Sequence, residues 1–191
     1  MDIGVGFGGK QAWLAVRGVP PEKVIAALAL RELGTAGWRA GIDLAHLTDD
    51  RVAVTPPLPG AGGSEWTLVA GRWLLRADAK VDVPALSATL GTEVQFFATN
   101  RVEELHRWER AVDGVPVRRF GFLGADGTVV AWWGQPDEVE RAVGVPAEAP
   151  DDEDGLLVGE SDVLRIAGAW SVDPSALEGK TVPGPLWIAA V

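Results

Sequence analysis

His106 is the one imidazole in this chain that stands among carboxylates. It lies in the run Glu104-Leu105-His106-Arg107-Trp108-Glu109-Arg110. A strand period of two places Glu104, His106, Trp108 and Arg110 on one face. A Glu–His pair can orient a general base or contribute metal ligands. Two carboxylates and one or two imidazoles are too few to assign a metal site from sequence. The expectation is therefore a polar face with cross-strand ion pairs, and no metal or cofactor. The second histidine, His46, follows Ile42-Asp43-Leu44 in a strand-like run, which puts Asp43 on the opposite face. The chain has no cysteine, so thiolate catalysis, disulfides and cysteine zinc sites are excluded. No G-x-S-x-G elbow is present, and Ser64, Ser87, Ser161, Ser171 and Ser175 lack a patterned His or acid partner. The residues form no catalytic constellation, and an enzyme is the less favoured reading.

The segment Gly4-Val5-Gly6-Phe7-Gly8-Gly9-Lys10 matches both G-x-G-x-x-G and G-x-x-x-x-G-K. Both motifs need a strand before them and a helix after, because the helix-terminal amides hold the phosphates. Only Met1, Asp2 and Ile3 precede the glycines, the β-like QAWLAVR follows, and Gln11 replaces the magnesium-binding hydroxyl. A glycine-rich strand or bulge is the better reading.

Charged and aromatic residues are best positioned by an antiparallel meander. The turns Asp113-Gly114 and Asp126-Gly127 separate three apolar-rich runs, Leu105–Val112, Val115–Leu123 and Thr128–Trp133. A two-residue turn at Asp113-Gly114 sets Val112 opposite Val115 and, counting back, Trp108 opposite Arg119. A four-residue loop from Gly124 to Gly127 sets Arg119 opposite Trp132. The expected row is Trp108–Arg119–Trp132 on one face, with Glu109, Arg118 and Trp133 on the other. An Arg between two Trp rings supplies cation–π contacts, and both residue types anchor protein interfaces. Trp108, Arg119 and Trp132, with His106 and Glu104, are the candidate binding residues. A one-residue slip in register undoes the assignment.

Around the meander the pattern predicts an α+β fold: a mainly antiparallel, curved sheet with a few helices on one face. Strands are expected at Gln11–Arg17, Trp38–Leu47, Arg51–Thr55, Trp66–Arg76 and Glu93–Thr99. Helices are expected from Pro20 or Pro21 to about Leu33, over Val83–Leu90 with Gly91 as cap, and over Glu160–Trp170. The order strand–helix–strands occurs twice, so residues 1–145 divide into two candidate related halves, 1–62 and 63–145. Residues 146–159, with the acidic Asp151-Asp152-Glu153-Asp154, read as a linker or loop. Residues 160–191 read as a helical segment packing back on the sheet, with Asp173 capping a new start at Pro174.

At 191 residues the chain can bury a self-sufficient core. Its formal net charge of −10 opposes nucleic acid and anionic membrane and favours a basic partner. No signal-peptide pattern or bilayer-length apolar run occurs, so a cytoplasmic location is expected. Nine Trp with no Tyr suit a high-GC bacterial genome. In type, though not through any motif, a small acidic α+β protein without catalytic residues is similar to the immunity proteins that neutralise bacterial toxins. The leading expectation is thus a binding or inhibitory protein for another, basic protein. The alternatives are a small-molecule binder or accessory enzyme with a Trp-lined pocket near His106, Glu104 or His46, and a self-associating scaffold that uses a Trp row as a homodimer contact.

Overall fold

The computed structural model describes residues 1–79, 81–102, 104–150 and 155–191. In chain order the first elements are β1 (Asp2–Ile3), β2 (Ala12–Arg17), α1 (Pro21–Ala27), β3 (Arg31–Ala36), α2 (Trp38–Leu47), β4 (Arg51–Val54), β5 (Leu58–Pro59) and β6 (Glu65–Ala70). Then come α3 (Val83–Leu90), β7 (Glu93–Asn100) and the meander β8 (Leu105–Val112), β9 (Val115–Leu123) and β10 (Thr128–Trp133). The last elements are α4 (Glu138–Ala142), α5 (Glu160–Trp170), β11 (Thr181–Val182) and β12 (Leu186–Ala190). The fold is α+β: among the described residues, ten strands form one antiparallel sheet in the order β10-β9-β8-β7-β2-β6-β4-β12-β3, with β5 beside β6.

Strand β2 lies at the middle of the sheet, and Ala12 to Val16 are all buried. Such a run has no polar alternation because both faces are covered. Trp13, Ala15, Leu68, Phe97, Trp108 and Phe120 meet the apolar stripes of α2 and α5 on one face. Leu14, Val16, Val69, Val94 and Phe96 meet Val24 and Ile25 of α1 and Val83 and Leu86 of α3 on the other. Helices therefore flank the sheet on both sides, where one covered face was expected.

Several local expectations give way. Trp38–Leu47 is a helix, not a strand: Trp38, Gly41, Ile42 and Ala45 recur at i, i+3, i+4 and i+7 and form its buried stripe. Helix α1 stops at Ala27, Ala29 turns with a φ of 55°, and Arg31–Ala36 form the edge strand β3. The strand expected over 66–76 ends at Ala70, and Arg72–Leu75 form a 3-10 turn that buries Trp73 and Leu74. The strands of the two expected halves alternate rather than segregate, since β2 lies between β6 and β7. Beyond α5 the chain is not helical throughout. After a short turn capped by Asp173, β12 inserts between β4 and β3 and pairs antiparallel with both. The acidic run 151–154 lies outside the described residues, while Val145 and Val158 on either side are buried.

The glycine-rich start is tied down by its own chain. Gly4 N donates to the Lys180 carbonyl (2.8 Å). Gly6 N donates to Glu178 Oε2 (2.7 Å), Gly8 N to Gln11 Oε1 (2.7 Å) and Lys10 N to Glu160 Oε2 (3.0 Å). Amides that would cradle a phosphate are committed to two carboxylates, a side-chain amide and a main-chain carbonyl, and strand β2 rather than a helix follows.

Candidate functional site

The meander forms over the expected runs. Asp113 and Gly114 have φ of 49° and 83°, the two positive values of a type I′ turn, and Val112 faces Val115. Leu123 faces Thr128 across the second loop. Between these fixed points two bulges intervene. Ala111 pairs Pro116 but Arg110 pairs Arg118, so Val117 is the extra residue. Pro116 has no N–H to give the ladder, and bulges are where such residues are accommodated. Val129 pairs Phe122 and Ala131 pairs Gly121, so Val130 is extra in β10.

Each bulge shifts the register by one, and the expected row is replaced. Trp108 faces Phe120, which faces Trp132, while Glu109 faces Arg119, which faces Trp133. Arg119 thus lies on the face opposite Trp108 and Trp132, and the anticipated Trp108–Arg119–Trp132 patch does not exist.

The Trp108 row is interior. Trp108 and Phe120 stack with centroids 4.2 Å apart, and the Arg118 guanidinium lies 4.3 Å from the Trp132 ring centre. Glu140 Oε1 accepts from Trp108 Nε1 and from Arg118 Nε, each at 2.7 Å. The Arg118 and Glu140 side chains are 2% and 1% exposed. Arg118 Nη1 donates to the carbonyls of Trp133 (3.0 Å) and Gly134 (3.1 Å). Asp137 and Glu140 form a capping box at the start of α4, and Trp170 Nε1 donates to Asp137 Oδ2 (2.6 Å). This node joins the meander to α4 and α5. It escaped the sequence reading, although Asp137-x-x-Glu140 is a visible capping signal.

His106 is buried on β8, and Glu104 sits exposed in the turn before it with a φ of 49°. No hydrogen bond joins the two; the Glu104 carbonyl instead accepts from Gly124 N (3.0 Å). His46 lies on α2, with Nδ1 2.8 Å from the Ile42 carbonyl oxygen and 2.9 Å from Gln11 Nε2. Among the described residues no group of three or more His, Asp or Glu side chains is placed to hold a metal ion.

The histidines do affect stability. Burial holds His106 below the ordinary histidine range, against the Glu160, Asp162 and Glu104 carboxylates, which favour its charged form. Burial lowers His46 likewise, against the Ile42 carbonyl and Asp43, with Arg72 adding to the lowering. Both imidazoles therefore bind protons more weakly folded than unfolded. Above the ordinary value of 6.5 the two states are equally neutral, and stability does not depend on these groups. As pH falls below that value the unfolded chain protonates first, and stability drops. The urea midpoint is expected to fall between pH of about 6.5 and about 5, and His106→Phe is expected to flatten that slope. A midpoint that rises or stays level over this range in the parent chain would contradict the burial of these rings.

The accessible chemistry lies on the opposite face. Glu109 is buried and accepts from Arg107 Nη2 (2.8 Å) and Arg119 Nη2 (2.7 Å). Trp133 is 59% exposed and Val130 51%. A cleft of about 460 Å³ is lined by Glu109, Pro116, Arg119, Val130, Ala131 and Trp133, together with Arg118 and Trp132. Val130 lies close over Gly121: a Cβ there would come within 3.1 Å of Val130 Cγ2. No family model matches the chain, nor does any curated protein or solved structure. The reading of function therefore rests on this geometry. A second, wider cleft of about 730 Å³ lies where the starts of α1 and the end of α3 meet the β8–β9 turn, with Arg17, Lys23, Glu93 and Asp113 in its wall. Neither cleft is lined by His46, His106 or Glu104. No helix among the described residues is long and apolar enough to cross a membrane.

The cleft places one exposed indole beside the Arg119–Glu109 ion pair. It can receive an apolar side chain and stack it against Trp133. Of the five candidate residues from sequence, Arg119 and Trp132 line this cleft. Trp108 and His106 are buried, Trp132 packs inward on Phe120, and Glu104 stands apart in its turn.

Proposed function

We propose that the chain is a protein-binding module of inhibitory, immunity-like type, and that it contacts a basic partner through the cleft at Trp133, Val130 and Arg119. The observation that carries the reading is the exposure of Trp133 beside an apolar cleft on the terminal strand of the sheet. A large indole left in water at a sheet edge is the kind of residue that dominates binding energy once a partner covers it. The net charge of −10 supports steering of a cationic partner.

The test is quantitative capture from the source cell with wild-type and Trp133→Ala baits, followed by native mass spectrometry. A stoichiometric basic protein is expected on the wild type, with its affinity lowered about 30-fold or more by Trp133→Ala, in line with a hot-spot loss of roughly 2 kcal/mol. Salt is expected to slow association more than it speeds dissociation. Equal retention by both baits would refute this surface, and absence of any stoichiometric protein would refute the function.

A further inference from the structure

The two edges of the sheet are built differently. Strand β3 exposes Arg31 and Glu32 and bulges at Leu33, beside Gly34, whose φ is 122°. Exposed charge of this kind discourages a further strand. Strand β10, Thr128-Val129-Val130-Ala131-Trp132-Trp133, has neither charge nor proline, and among the described residues β9 is its only strand partner. Its single irregularity is the bulge that turns Val130 outward beside the cleft.

Two acids stand at the ends of this edge. Asp126 stands exposed in the loop before β10, and Glu138 stands exposed at the start of α4 after it. Among the described residues neither forms an ion pair, whereas Arg119 is paired with Glu109, which it shares with Arg107. A second copy of the chain would bring the same acids and a further −10 to this edge, so like charges oppose self-pairing.

Resting on the protein-binding reading above, we propose that β10 receives an extended segment of the partner by strand addition. That segment has alternating apolar side chains at its centre, one of which enters the cleft against Trp133, and Lys or Arg at both ends. Main-chain hydrogen bonds supply affinity, and the alternate side chains supply selectivity. Acids before and after β10 match basic flanks in either strand direction.

The probe is a fluorescein-labelled nonapeptide, Lys-Arg-Val-Thr-Val-Thr-Val-Arg-Lys, titrated by anisotropy in 50 mM salt. A control peptide has Glu at all four flanking positions. Binding in the micromolar range is expected, with the Glu-flanked peptide at least about 10-fold weaker because like charges then face each other. Val130→Lys places a charge on the edge and is expected to weaken binding about 10-fold or more. The double variant Asp126→Asn/Glu138→Gln is expected to weaken it about 5-fold and to flatten the salt dependence. These positions are exposed, so unchanged thermal melts verify that each variant is folded. Binding that Val130→Lys leaves unaltered overturns the proposal. So does self-association of the wild type that Val130→Lys abolishes, because a second copy then occupies the edge. If partner capture depends on Trp133 but not on Val130 or the two acids, strand addition fails and the protein-binding reading stands. If no stoichiometric partner is captured and the peptide does not bind, both fail.

Discussion

A Glu140→Ala variant is expected to lose about 3–5 kcal/mol of stability in urea unfolding, the usual cost of stranding one member of a buried ion pair. The guanidinium of Arg118 is 2% exposed and cannot reach water without opening the α4–meander contact. With Glu140 gone, Arg118 Nε and Trp108 Nε1 both lose their acceptor, and Asp137 N loses its partner in the capping box. The charge is then left among Trp132 and Phe120, whose ring centres lie 4.3 and 5.7 Å away. Those rings attract a cation, yet they do not replace a carboxylate. Replacing both partners, as in Arg118→Met/Glu140→Leu, is expected to recover part of the loss, because no charge then remains buried. Recovery stays incomplete, since the carbonyls of Trp133 and Gly134 lose the donor that Arg118 Nη1 provides. A loss below about 1 kcal/mol for Glu140→Ala would mean that the pair is solvated, as exposed ion pairs are.

Removal of residues 186–191 is expected to abolish cooperative unfolding altogether. Strand β12 lies inside the sheet, and among the described residues β3 has no other strand partner. Leu186 and Ala189 are fully buried, and Leu186 packs under α2 so closely that a Cβ on Gly41 would lie 2.7 Å from its Cδ1. The deletion therefore strips α2 of its floor, opens an edge on β4 and leaves β3 without a ladder. Circular dichroism with temperature is the check. A truncated chain that melts in one sharp transition near the parent midpoint would show that β12 is peripheral. A gentler companion, Ala189→Asp, buries one unpaired carboxylate in the same place and is expected to lower the midpoint steeply without shortening the chain.

What was legible in the residues follows from how local each signal is. Asp113-Gly114 needs only its own backbone to form a type I′ turn, so the runs of β8, β9 and β10 and the pairing of Val112 with Val115 could be read directly. The pairing farther along could not, because one extra residue at Val117 reverses the faces of every position beyond it. Pro116 was the available clue, since a residue without an N–H interrupts a ladder. Trp38–Leu47 was ambiguous by construction: Trp38, Ala40, Ile42 and Leu44 satisfy a period of two, while Trp38, Gly41, Ile42 and Ala45 satisfy 3.6. The contact of α2 with β12 decides between them, and that contact is remote in sequence. The insertion of β12 itself has no local signature beyond a short apolar run. The Arg118–Glu140 pair was hidden for the same reason, because its members meet only when α4 docks on the meander. The acidic balance of the chain was plain from composition, but which acids border an open edge depends on where β10 ends.

Of the nine tryptophans, Trp133 alone is exposed; the others are buried or half-buried. The chain thus contains its own optical reporter. A neutral quencher such as acrylamide will extinguish the red-shifted emission of one indole and leave the blue emission of the interior ones. Anything that settles on the end of the sheet will protect that red component, so occupancy can be followed by light without attaching a dye.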